Sequence, residues 1–259
     1  MRPSAGFLAL TREVTPAITR CELTHLAREP IDYPRAAEQH DAYEGLLARL
    51  GCRVNRIPAD PAQADAVFIE DTAVVVDELA VVTRPGAESR RAETEPVAGA
   101  LHRHRPLTHI RAPGTLDGGD VLRAGRQVFV GLTSRTNQQG LAQLRDALAP
   151  EGYSVTGVPV RGCLHLKSAA TEVADGVLLI NPLWADPRAF PGFEYVTVDP
   201  AEPRAANALR LGEMLVHGAE YPRTRERLEA RGLTVFPVDL SELAKAEGAV
   251  TCCSLILSI

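Results

Sequence analysis

The chain has 259 residues, 45% hydrophobic and 24% charged, with a formal net charge of -5. A chain of this length buries roughly three quarters of the surface its unfolded form exposes, so it needs neither metal nor disulfide to stay folded. No basic run stands out; the alternation His102-Arg103-His104-Arg105 is a short local cluster. The charge balance therefore excludes the footprint of a nucleic-acid binder, and no apolar run reaches the length of a membrane span.

Five cysteines, Cys21, Cys52, Cys163, Cys252 and Cys253, form an odd set without framework spacing. They predict free thiols in a reducing, cytoplasmic setting. Residues 1–10 hold an apolar stretch too short for a signal peptide, and Thr11, Arg12 and Glu13 end it.

In chain order, residues 7–11 (FLALT) predict a strand. Tyr43, Leu46, Leu47 and Leu50 lie at helical spacing and stop at Gly51. Residues 66–76 (AVFIEDTAVVV) and 79–83 flank the polar tip Asp77-Glu78 and predict a hairpin, followed by a turn at 84–86. Residues 118–122 and 127–131 repeat this around a turn at 124–126. Leu141, Leu144 and Leu148 predict a helix before Pro150. Residues 165–169 with 176–180, and 205–211 with 214–217, predict two more hairpins. A helix is predicted over 222–232, with Pro near its start and Gly at its end. The last strand, predicted over 249–257, has no following partner and should pair with 7–11.

The polar residue opening each unit recurs at a near-regular interval. Glu70 to Asp117 is 47 residues, Asp117 to His165 is 48, His165 to Asn207 is 42 and Asn207 to Cys252 is 45, while 49 residues before Glu70 stands Cys21. Five ββαβ units closed in a circle predict a five-bladed α/β propeller in one domain, 1–259. The alternative is a chance period in an ordinary α/β protein.

In a closed circle the opening residues converge near the axis, so Glu70, Asp71, Asp117, His165 and Cys252 should share a central pocket. A thiol at its ordinary pKa is only a few per cent thiolate at neutral pH, and nearby carboxylates hinder its ionisation further. A cationic substrate would neutralise them. A guanidinium fits, since its planar N–H groups match carboxylate oxygens in paired hydrogen bonds. His165 would protonate the departing amine and then activate water, with Asp117 holding the ring. Taken singly, each residue has a plainer explanation: a core thiol, a structural histidine on a strand, a tight turn at Gly118-Gly119. Cys163-Leu164-His165 suggests a metal, but no second ligand pair stands at zinc spacing, and no metal is expected.

The segments FIED (68–71), TRPGAESRR (83–91), LDGGD (116–120), FVGLTSRTNQ (129–138), LHLK (164–167) and VTCCS (250–254) resemble the dimethylarginine dimethylaminohydrolase family, of the guanidine-modifying penteins. The resemblance spans nearly the whole chain and implies the five-bladed fold. It implies Cys252 as nucleophile with Cys253 a bystander, His165 as acid and base, and Asp117 as its orienting carboxylate. It further implies Asp71, Glu70 and Asp65 at the substrate, Arg90 and Arg135 on its α-carboxylate, and the carbonyls of Leu23 and Ala246 on its α-ammonium. The implied reaction is hydrolysis of mono- and dimethylarginine to citrulline, without a cofactor, by a monomer or homodimer. Its partner is a small-molecule substrate, not nucleic acid or membrane.

Two alternatives stand beside it. Arginine deiminases resemble one another in a His-x-Asp motif, where this chain has His165-Leu166-Lys167. A dimethylated nitrogen has no N–H to donate, so a carboxylate facing it would stay unpaired. The other alternative is a non-catalytic pentein that only binds.

Overall fold

A computed structural model describes residues 6–259; the first five residues of the apolar start lie outside the described residues. The chain's β-branched runs form strands, and its Leu-spaced segments form the helices that return the chain between them. Strand β1 (Phe7–Arg12) is followed by helix α1 (Tyr33–Arg49) and by β2 (Cys52–Ile57), which pairs parallel to β1. Asp32 caps α1 by accepting the Arg35 N–H, and Gly51 turns out of it with φ +90°. The helix buries Ala36, Tyr43, Leu46 and Leu47.

The second unit consists of β3 (Ala73–Val75), β4 (Ala80–Val82), helix α2 (Thr94–Leu101) and β5 (Leu107–His109). The third is β6 (Val121–Ala124), β7 (Gln127–Leu132), helix α3 (Gln138–Leu148) and β8 (Ser154–Pro159). A one-turn helix α4 (Leu166–Ala169) leads into β9 (Ala170–Ala174), β10 (Val177–Ile180) and β11 (Glu194–Thr197). In this unit the crossover holds only the 3-10 turn Pro187–Ala189 in place of a helix. The fifth comprises β12 (Ala208–Leu211), β13 (Met214–Gly218), helix α5 (Pro222–Glu229) and β14 (Thr234–Val238). After the short helix α6 (Ser241–Ala244), β15 (Leu255–Ser258) ends the chain.

Each sheet has three strands, the middle one antiparallel to one neighbour and parallel to the other. β15 pairs antiparallel with β1 in the register Phe7↔Ser258 to Leu10↔Leu255, so the last strand completes the first blade. That pairing closes the circle, as expected from residues 7–11. Closure places β1 in the middle of its sheet, flanked by β15 and β2.

Four predicted strands are shorter than expected, because the residues that open each unit are not extended. Ile69–Thr72 and Gly118–Asp120 are 3-10 turns, His165 precedes α4, and residues 250–253 form a turn. Near the axis the strand starts converge and no partner edge is free, so the backbone closes local bonds instead. These run from Asp71 N to Phe68 O, Asp120 N to Asp117 O, Ser168 N to His165 O and Cys252 N to Ala249 O. His165 and Cys252 therefore sit on turns, not on strands. Among the described residues no helix is long and apolar enough to cross a membrane.

Candidate active site

These turns meet because glycine leaves them room. A Cβ on Gly118 would lie 2.0 Å from the Glu70 carbonyl oxygen, and one on Gly119 would lie 2.5 Å from His165 Nδ1 and 2.7 Å from Asp71 Oδ1. The Gly119 N–H donates to Asp71 Oδ1 at 2.9 Å. The Glu70 N–H donates to the Cys252 carbonyl at 3.1 Å, which ties the cysteine turn to the carboxylate turn. From outside, the Tyr43 hydroxyl on α1 donates to the Val250 carbonyl and meets Ser254 Oγ, holding the same cysteine turn.

A hollow of about 20 Å³ results, lined by Asp65, Asp71, Arg90, Arg135, His165 and Cys252 among others. His165 Nε2 lies 3.1 Å from Asp117 Oδ2, while Asp117 Oδ1 accepts the Gly86 N–H at 2.8 Å. Burial opposes protonation of His165, but Asp71, Asp117 and Asp120 outweigh it and raise its pKa to about 9. Burial alone would raise Asp71; His165 and Arg90 reverse this and hold its pKa well below the usual carboxylate range. Of the five cysteines only Cys252 is partly exposed. Burial, then Glu70 and Asp71, push its thiol well above its ordinary pKa. Both shifts run in the same direction, towards the protonated thiol and the protonated imidazole on one hollow.

Not every candidate faces the hollow. Asp117 is fully buried behind His165. Glu70 turns to the opposite side of the ring, paired with Lys167 and accepting from Thr251 Oγ1 at 2.8 Å, where it lines a separate cavity of about 350 Å³. The predicted common pocket therefore holds Asp71, His165 and Cys252, with Asp117 one layer behind and Glu70 beyond. The physical reason is that adjacent residues on a helical turn, Glu70 and Asp71, point in different directions. Asn207 also stays outside, joining the Thr251 N–H to the Lys167 carbonyl.

Arg135 lines the hollow with Nη1 3.9 Å from Asp117 Oδ2 and Nη2 donating to Thr24 Oγ1. Arg90 commits its donors to Asp71, Glu93 and the carbonyls of Asp65 and Phe68, and so fixes the Asp71 carboxylate. Ala246 and Asp65 line the hollow; Leu23 lies on the segment that covers it, outside the lining. Sequence reasoning missed Glu22, Phe68, Leu164, Glu247 and Gly248. A Cβ at Gly248 would lie 2.2 Å from the Phe68 ring, so only glycine lets that loop close on it. The Glu-Gly pair next to Ala246 was the available signal.

A space of about 20 Å³ holds a water and no amino acid, so the cover must move for a substrate to enter. The Glu247 carboxylate, on a residue with φ +60°, accepts the N–H groups of Thr24, His25 and Leu26 at 2.8, 2.7 and 3.1 Å. Its negative charge is a clasp on the covering segment. Glu247→Ala is expected to speed alkylation of Cys252 by iodoacetamide about tenfold, the equivalent of one or two lost charge-assisted bonds. An unchanged rate would show that the segment opens without releasing Glu247.

Asp71, Asp117 and His165 have donor atoms within 4.8 Å of one another, as do His40, Asp41 and Glu44. Each of the first three is already held by hydrogen bonds, and Arg56 pairs with both Asp41 and Glu44.

No protein-family model matches the chain. It is 43% identical over 252 residues to N(G),N(G)-dimethylarginine dimethylaminohydrolase of Streptomyces coelicolor, covering 96% of each chain. It is 36% identical over 234 residues to the Pseudomonas aeruginosa enzyme of that name, covering 90% of this chain and 91% of that one. A solved structure of the Pseudomonas enzyme, a cysteine-to-serine variant complexed with citrulline, superposes with a TM-score of 0.92 at 33% identity, over 97% of this chain and 100% of that one. The N-terminal domain of ArgZ, a cyanobacterial arginine dihydrolase, shares the fold with a TM-score of 0.87 at 18% identity, over 97% of both chains. Five closed blades, a thiol and an imidazole on one hollow, and these identities over nearly the full length agree: the chain belongs to the dimethylarginine dimethylaminohydrolase family.

Proposed function

We propose that the chain hydrolyses Nω-dimethyl- and Nω-monomethyl-L-arginine to L-citrulline and the corresponding methylamine, through a covalent intermediate on Cys252. The observation that carries the reading is the single hollow lined by Cys252, His165 and Asp71, with Asp117 behind the imidazole. Support comes from the relatives, whose structures hold citrulline and, in a histidine-to-glycine variant, an S-methyl-L-thiocitrulline adduct.

The guanidinium docks on Asp71 and offsets the carboxylates that keep the Cys252 thiol protonated. The thiol proton leaves to solvent, and Sγ attacks the central guanidinium carbon to form a tetrahedral adduct. The His165 imidazolium gives its proton to the methylated nitrogen, and the C–N bond breaks to release the amine. Neutral His165 then takes a proton from water and the hydroxyl adds to the carbon; the C–S bond breaks as the hydroxyl proton passes to the departing sulfur, leaving citrulline, the Cys252 thiol and the His165 imidazolium. Arg135 receives the α-carboxylate, while Arg90, its donors taken by Asp71, Glu93 and two carbonyls, serves the substrate by fixing Asp71. Asp65 and the carbonyls of Leu23 and Ala246 receive the α-ammonium, and Glu70 holds the floor with Lys167. The catalytic unit is one domain, 1–259, acting as monomer or homodimer without cofactor. Lys167 supports methylated over unmethylated substrate, since this position pairs with Glu70 on the far side and turns no carboxylate towards the guanidinium.

Purified protein given asymmetric dimethylarginine, monomethylarginine or arginine, with and without chelator, tests this. Citrulline is expected from the methylated compounds only, unaffected by chelation. Citrulline mainly from arginine would make it a deiminase, and none from any of them a binding protein.

A further inference from the structure

We propose that Asp120 is a positioning residue of this reaction, one carboxylate that staples the turns bearing Asp117, Arg135 and His165 into register. The proposal rests on the function assigned above.

Asp120 is fully buried and touches none of the reacting groups. Its Oδ1 accepts the N–H of Leu166, the residue after His165, at 3.0 Å. Its Oδ2 accepts the hydroxyls of Thr133 and Thr136, each at 2.7 Å. Each hydroxyl, its proton given to Asp120, uses a lone pair for a backbone donor. Thr136 Oγ1 accepts the Asp117 N–H at 3.1 Å, and Thr133 Oγ1 accepts the Arg135 N–H at 3.1 Å. Three paths of bonds thus start at one carboxylate; two end on Asp117 and Arg135, and the third ends on Leu166, the residue next to His165. All three neighbours point donors at Asp120, a pattern that an ionised carboxylate satisfies completely. The fit is close: a Cβ at Gly131 would lie 2.6 Å from Asp120 Oδ1, so only glycine there leaves room for the carboxylate.

Sub-ångström control of this kind is what holds the imidazole and its partner carboxylate at hydrogen-bonding distance, since a misplacement of about 1 Å costs about 100-fold in rate. The charged groups facing Asp120 are His165, which draws its pKa down, and Asp117, which raises it; burial is the larger influence and brings it to about 6. Cys163 is pushed up in turn by Asp120, after burial. Glu70 and Asp71 on the 69–72 turn, Lys167 on α4 and Arg135 are the other ionisable groups on the surrounding elements. Protonation of Asp120 removes an acceptor from one of its three donors.

The test uses Asp120→Asn, Thr136→Val and Thr136→Ser. Turnover is read alongside an NMR titration of the His165 imidazole, assigned through its loss in His165→Gln. Asp120→Asn is expected to lower kcat about 100-fold with KM within about threefold, and to abolish the acid limb of the wild-type profile near pH 6. Thr136→Val keeps the charge and cuts only the Asp117 arm. It should lower kcat about tenfold and shift the His165 titration, and Thr136→Ser should recover most of both. Unchanged kcat and His165 titration in Thr136→Val would overturn the proposal, and that variant decides if Asp120→Asn fails to fold. If the wild type turns over no methylarginine, the function assignment fails; the His165 titration in the Thr136 variants still reads the staple by itself.

Discussion

Cys252→Ser is expected to abolish methylarginine turnover, a loss of at least about 1,000-fold, while Cys253→Ser keeps it within a small factor. The two thiols are neighbours in sequence, but the 250–253 turn directs them oppositely. Cys252 is partly exposed on the hollow, and Cys253 is fully buried, its Sγ 3.6 Å from the Ala249 carbonyl. A serine hydroxyl at 252 is a far weaker nucleophile than a thiol and has no base within the turn to activate it. At 253 a hydroxyl can still donate to Ala249, so the cost is to stability, about 1 kcal/mol, for a polar group within an apolar cluster. Citrulline assays on both variants, with thermal unfolding as control, decide the matter. Equal activity of the two variants would mean that the nucleophile is misassigned.

Arg90→Ala is expected to destabilise the fold by about 3–5 kcal/mol, a fall in unfolding midpoint of about 10 °C for a chain of this size. Arg90 is 4% exposed and sits between Asp71 and Glu93, which are 3% and 2% exposed. Removing it takes the paired guanidinium from both buried carboxylates and leaves Asp71 only His165. Arg90→Lys should recover only part, because an ammonium cannot reproduce the fork that reaches Asp71, Glu93 and the Phe68 carbonyl together. The pH dependence has a definite sign. In the wild type the Asp71 pKa is depressed, so its contribution is present above the unfolded carboxylate pKa and lost as pH falls through the folded value. Without Arg90, burial raises both carboxylates and they favour the protonated form. The variant's deficit should therefore be larger at pH 7 than at pH 5. A deficit below about 1 kcal/mol at both pH values would show that Arg90 is not the counterion of these buried acids.

The sites of these two predictions were legible to different degrees. That Cys252 and His165 meet on one hollow with Asp117 behind could be read because a repeat brings the opening residue of each unit to the axis. The register of closure was legible too: 7–11 and the last strand were both left without local partners. What each turn would look like was not. Residues 66–72 and 249–253 read as strand because their side chains are β-branched and apolar, yet the crowded axis offers no neighbouring edge, and the backbone winds into turns.

From the sequence alone followed the five-fold period, the closed ring and the convergence of Asp71, His165 and Cys252, since these depend on residue type and spacing. Only the tertiary structure decided which way each side chain points: Asp71 into the hollow, Glu70 to Lys167 on the far side, Arg90 into its own carboxylates, Asp120 beneath three turns at once. Direction at a turn is set by contacts with segments tens to hundreds of residues away. Glu247 clasps residues 24–26 from more than 220 positions along the chain, and the glycine beside it marks a turn without naming those partners.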